Sequence, residues 1–154
     1  MKRISDYSKS WENDVTCVHR VLYEWHPQSF ALSEPEQQKD LQIWLQRNLP
    51  EVPIAQSEIE KDTPDLVIED YHIIQVKLGF TEESRAECYR CIGQLERYRQ
   101  KWVDAKHGVV YLVVVGESQA EFQEMIHKGI ELLNQGHIGR YFFLVEKFPV
   151  KFHG

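Results

Sequence analysis

Long apolar runs are missing from this chain of 154 residues. The longest, Val109 to Val115, falls far short of the ~20 residues that a membrane-spanning helix needs. The polar opening MKRISDYSKS has no apolar centre of the kind a secretory signal carries, so an exported protein is not expected. Cysteine is scarce as well. Cys17, Cys88 and Cys91 leave one thiol unpaired in any disulfide scheme, and a domain of this size does not depend on such staples. A reducing, cytoplasmic setting is the expectation. Repeats, low-complexity stretches and Gly/Ser linkers are absent, which predicts a single domain over 1–154. No P-loop, Gly-rich dinucleotide turn or Ser/His/Asp arrangement is present, and the histidines are scattered at no ligand spacing. Basic charge is also short, with 18 Lys and Arg against 24 Asp and Glu. A net charge of −6 argues against a protein that coats nucleic acid without regard to sequence, because such binding needs concentrated cations. It leaves room for a small polyanion site, and acidic residues converging on a metal would themselves account for the excess.

What the chain does have is patterned hydrophobicity, at 42% apolar residues. A first helix is predicted over roughly 11–25, stopped near Pro27. Ser33-Glu34-Pro35-Glu36 reads as the start of a second, with Ser33 as N-cap, Glu36 as its reciprocal partner and proline tolerated in the first turn. Leu41, Trp44, Leu45 and Leu49 supply its apolar stripe up to Pro50. The period then changes to that of strands over 52–60, 65–68 and 72–77, the last two separated by the polar turn Glu69-Asp70-Tyr71. A helix over about 82–102, a doubly buried strand in HGVVYLVVVG, a helix over 117–134 and a strand over 140–148 complete the order α-α-β-β-β-α-β-α-β. That order predicts an α/β fold with a mixed central sheet and helices on both faces.

A three-residue loop at 69–71 makes paired residue numbers add to 140, which sets Asp65 opposite Gln75. Lys77, two residues beyond Gln75, shares their face, while Leu66, Ile68, Ile74 and Val76 line the other. A carboxylate, an amide oxygen and an ammonium at one spot suit Mg²⁺ or Mn²⁺, hard ions that take oxygen ligands and keep several waters. Such an ion polarises a phosphoryl oxygen and lowers the pKa of a bound water, and phosphodiester hydrolysis is the natural reaction.

Pro64-Asp65, followed after nine residues by Gln75-Val76-Lys77, resembles the PD-(D/E)XK nuclease superfamily. The resemblance covers about 33–115 and implies a restriction-endonuclease-like fold. It makes Asp65, Gln75 and the Val76 carbonyl metal ligands and Lys77 the catalytic cation. Gln75 departs from the usual glutamate, as it does in the branch resembling Mrr restriction enzymes. The missing charge would weaken metal binding, since unit charges ~4 Å apart interact by about 4 kcal/mol at an effective dielectric of 20. The family often adds an acidic residue before the aspartate. Glu58 and Glu36 are the candidates, although capping alone already explains Glu36.

Gln94 and Tyr98 in GQLERYRQKW match the QxxxY motif of RecB-like and lambda-exonuclease-like members. On a helical wheel Arg90, Gln94, Arg97 and Lys101 fall on one arc, Cys88, Cys91, Leu95 and Trp102 on another, and Tyr98 on the boundary. The first arc presents glutamine and three cations where phosphates would pass. Cys88 and Cys91 read as small residues on the apolar arc, since no second pair of ligands completes a zinc site. The expectation is a Mg²⁺- or Mn²⁺-dependent nuclease acting on DNA, with a protein partner that delivers the substrate and with RNA as an alternative substrate. The competing expectation is an inactive nuclease-fold module that binds protein or DNA.

Overall fold

A computed structural model describes residues 11–49, 54–56, 65–68, 72–100, 109–136 and 141–149. The elements run α1 (Trp11–Glu24), α2 (Glu34–Asn48), β1 (Ile54–Gln56), β2 (Leu66–Ile68), β3 (His72–Leu78), a 3-10 turn (Glu82–Ser84), α3 (Arg85–Tyr98), β4 (Val109–Val115), α4 (Ala120–Gln135) and β5 (Phe142–Lys147). This is the order that the sequence periodicity predicts. The strands form one mixed sheet in the order β1-β2-β3-β4-β5. β1, β2 and β3 pair antiparallel, and β3, β4 and β5 pair parallel. An antiparallel pair closes through a short turn, whereas each parallel pair needs a crossover, here α3 and α4.

Alternation along the strands divides the core into two layers. Leu66, Ile68, Ile74, Val76, Val113 and Val115 face α1 and α2, where Val18, Leu22, Trp25, Leu41 and Leu45 meet them. Val67, Ile73, Val110, Leu112 and Val114 face α3 and α4, which contribute Cys88, Cys91, Leu95, Phe122, Ile126 and Ile130. Each fully buried aliphatic side chain is worth about 1.5–3 kcal/mol of transfer free energy. β4, flanked by a strand on each side and helices on both faces, is buried along its whole length. That is why its sequence reads as a continuous apolar run. The Trp44 indole N–H donates to the Val21 carbonyl at 2.9 Å and ties α2 to α1.

α2 begins with the capping box that the sequence announces. The Glu36 N–H donates to Ser33 Oγ at 3.3 Å, and the Ser33 N–H donates to Glu36 Oε1 at 3.1 Å. Ser33→Ala should therefore cost about 1 kcal/mol, read as a lower urea midpoint with an unchanged slope. Among the described residues no helix is long and apolar enough to cross a membrane.

Candidate active site

β2 and β3 pair in the expected register, with Leu66 opposite Ile74, Val67 opposite Ile73 and Ile68 opposite His72. Continued by one residue, that register sets Asp65 beside Gln75. The Asp65 carboxylate reaches across the pair, and its Oδ2 accepts the Val76 N–H at 2.7 Å. The Gln38 side-chain amide donates to the Asp65 carbonyl at 3.1 Å, so α2 holds the aspartate from behind.

Gln75 and Lys77 share the face of β3 that looks toward α3. Gln75 is only 5% exposed, and among the described residues nothing donates to its buried Oε1. Lys77 stands at the carboxyl end of β3, the end of an open parallel sheet at which ligands usually bind. Its Nζ donates to Glu87 Oε2 at 3.0 Å and lies 3.6 Å from Glu34 Oε1. Glu34 Oε2 also accepts the Leu78 N–H at 3.4 Å. The lysine is thus held between carboxylates on the first turns of two helices, α2 and α3.

Burial dominates the electrostatics. It pushes the Asp65 carboxyl up to about 6, with the Val76 hydrogen bond opposing and the charge of Glu34 reinforcing the rise. Burial also pulls on the Lys77 ammonium, but the Glu87 hydrogen bond and the charges of Glu34 and Glu87 outweigh it, so Lys77 titrates above the ordinary lysine range. Glu87 is held below the usual carboxylate range by the hydrogen bond from Lys77, aided by the charges of Lys77 and Arg90. Cys91, buried beside the lysine, is pushed up to about 12 and contributes a neutral thiol. Cys88 and Cys91 are both fully buried on the apolar arc, as their helical spacing suggests.

When Glu34, Asp65 and Glu87 are ionised, they oppose Lys77 and the Arg90 that pairs with Glu87 at 3.1 Å, which leaves one negative charge in excess. The Glu34 and Asp65 carboxylates interact through their charges, and the Gln75 amide oxygen is buried without a donor among the described residues; these are oxygen groups of the kind a hard divalent ion takes. Among the described residues no cluster of three or more His, Cys, Asp or Glu side chains converges as a metal cage. An ion at Asp65 would therefore retain several waters, as Mg²⁺ does.

The carboxylate that α2 contributes is Glu34, whereas Glu36 is spent on the cap, exposed and turned back to Ser33. A signal for this was present. Glu34, Gln38 and Leu41 share one face by helical spacing, and Gln38 and Leu41 both turn toward the sheet. Glu87, which the sequence reading passed over, stands ten residues after Lys77 and one turn before Cys91 on α3. Arg90 and Arg97 are exposed and Gln94 is half-buried, in keeping with a polar arc on α3. Tyr98 leaves the boundary assigned to it. At 2% exposure it packs in the core with Leu95 and Ile126, so its ring does not face solvent beside Gln94. Glu58 and Lys101 lie outside the described residues. Comparison of this chain with protein-family models, with curated proteins and with solved structures returns no match.

Proposed function

We propose that this chain is a metal-dependent nuclease that hydrolyses phosphodiester bonds in DNA. The observation that carries the reading is the gathering of Glu34, Asp65, the donor-free Gln75 amide oxygen and Lys77 at the carboxyl end of β3. Glu34, Asp65 and Gln75 would hold the ion, with the Val76 carbonyl as a further oxygen. When bound, Mg²⁺ or Mn²⁺ supplies a Lewis acid for a phosphoryl oxygen and a water of lowered pKa. Asp65 meets the ion as a carboxylate only above about pH 6, so metal affinity rises with pH through that point. Lys77 is a firm cation at neutral pH, and it offsets charge on the phosphoryl oxygens and orients the attacking water. Arg90, Gln94 and Arg97 steer the sugar-phosphate backbone along α3, and the Glu87–Arg90 pair links that arc to the lysine.

Cutting of single- and double-stranded DNA, with an RNA arm, in Mg²⁺ or Mn²⁺ tests this. Lys77→Ala should slow cleavage by about 10²-fold. Cleavage that persists in EDTA, or that survives substitution of both Lys77 and Asp65, overturns the assignment.

A second reading, a nuclease-like module that binds protein or DNA without cutting, is favoured by two observations. Lys77 is already paired with two glutamates, and Gln75 removes a charge from the ligand set. Calorimetry with Mn²⁺ separates the two. No heat of binding, together with no cleavage, selects the non-catalytic module.

A further inference from the structure

The sheet ends at β5, and among the described residues no strand covers its outer edge. The Val110 N–H donates to the Tyr141 carbonyl and the Gly116 N–H to the Lys147 carbonyl, both at 2.8 Å. Odd-numbered residues of β5 therefore turn their backbone groups toward β4. Phe142, Leu144 and Glu146 turn theirs outward. Asn134 of α4 caps the first of these as a neighbouring strand would. Its Oδ1 accepts the Phe142 N–H and its Nδ2 donates to the Phe142 carbonyl, each at 3.0 Å. Among the described residues no side chain caps Leu144 or Glu146 in this way, and both residues line a cleft of about 930 Å³. An open edge with apolar flanks is a template for strand addition.

The chemistry of the cleft selects its occupant. Tyr23 and Phe148, 52% and 43% exposed, stand at its border. Glu131 and Glu146 are its carboxylates, and among the described residues no lysine or arginine lines it. Glu146 Oε1 lies 2.7 Å from His127 Nε2, and its Oε2 accepts from Gln123 Nε2 at 3.4 Å, which fixes the carboxylate beside the edge. We propose that the outer edge of β5 docks an extended segment of a partner protein that carries a lysine or arginine flanked by apolar residues at alternate positions. Its backbone would pair with Leu144 and Glu146. Its cation would meet Glu146, and its apolar side chains Leu144 and the exposed rings. A second copy of this chain fits worse. Antiparallel self-pairing centred on Val145 sets Phe148 against the Phe142 edge that Asn134 already occupies, and it brings further glutamates into an acidic cleft.

The probe is an acetylated, amidated peptide Thr-Leu-Thr-Lys-Thr-Leu-Thr, added to the full chain and followed by fluorescence anisotropy and amide hydrogen exchange. Binding should slow exchange at the Leu144 and Glu146 amides. Affinity should fall about tenfold in Glu146→Gln or when the peptide lysine becomes glutamate, the loss of one charge-assisted contact. Backbone N-methylation of the peptide should abolish binding. The proposal fails if the methylated peptide binds equally well or the peptide leaves those two amides unprotected. It fails equally if the chain alone forms a concentration-dependent dimer that protects them. The exchange measurement uses the wild-type chain, so a variant that does not fold cannot obscure it.

Discussion

Asp65→Asn is expected to abolish metal-dependent cleavage, by 10³-fold or more, and at the same time to make the metal-free protein more stable at neutral pH. The two effects share one cause. Burial raises the folded-state pKa of Asp65 to about 6 from 3.8, so the folded chain holds this proton across a pH range in which the unfolded chain has released it. Below about pH 4 both states are protonated and the folded state keeps the full contribution. As pH rises through 6, that contribution is lost, on the order of 2 to 3 kcal/mol. Asparagine has no charge to desolvate, and its Oδ1 can still accept the Val76 N–H. Melting in EDTA should therefore favour the variant at pH 7.5, and the difference should vanish near pH 4. A variant less stable than wild type at pH 7.5 would mean that the ionised aspartate is a structural asset, and the cation site would lose its electrostatic basis.

His72 makes the same experiment sharper. Burial lowers its pKa to about 4 from 6.5, so its contribution to stability is present above 6.5 and lost as pH falls toward 4. Across pH 4 to 6 the two groups oppose each other, and wild-type stability should vary little for that reason. With Asp65 neutralised, the histidine acts unopposed, and the variant should lose stability on acidification more steeply than the parent.

Gly79→Ala is expected to be strongly destabilising. A Cβ there would stand 2.2 Å from the Glu117 carbonyl oxygen and 2.6 Å from its carbon, both backbone atoms that have no side-chain freedom with which to yield. The same corner is laced by the Gly79 N–H to the Val115 carbonyl, the Gln119 N–H to the Phe80 carbonyl and the Phe80 N–H to Ser118 Oγ, each at 2.9 Å. Gly116, at φ +95°, makes the matching turn as the chain leaves β4. Forcing the two strand exits apart should cost about 3 kcal/mol, seen as a lower urea midpoint. It should also disturb Lys77, two residues upstream. Gly93→Ala on α3 is the control. Among the described residues the new methyl meets only the Arg97 guanidinium at 3.5 Å, and replacing a helix-interior glycine should gain about 0.5–1 kcal/mol. Equal losses from both changes would show that the backbones at 79 and 117 are not in this close approach.

The element order and the local register were legible from residues alone, because both follow from short-range periodicity. Three polar turn residues between two alternating segments suffice to set Asp65 beside Gln75 and to send Leu66, Ile68, Ile74 and Val76 to the opposite face. The capping box needed only Ser33 and Glu36 at their spacing. The partners of Lys77 were legible only in part, because helical spacing groups Glu34 with Gln38 and Leu41 but names no partner across the sheet. Glu34 and Glu36 sit in the same helical turn, and only the rotation of α2 over the sheet sends the first to Lys77 and the second to Ser33. Glu87 becomes a partner of Lys77 only once the crossover lays α3 against β3.

Tyr98 shows the same division. A helical wheel places a residue on an arc, but how deep the boundary sinks depends on how closely α3 approaches the sheet and α4. Sequence by itself determined the strands, the helices, their faces and the β2–β3 register that sets Asp65 beside Gln75. Tertiary packing decided which carboxylates surround the lysine, that Tyr98 belongs to the core, and that β5 is the last of the described strands in the sheet. The physical reason is reach. Periodicity and turn chemistry act over a few residues, whereas the contacts Glu34–Lys77, Asn134–Phe142 and His127–Glu146 exist only after separate elements have docked.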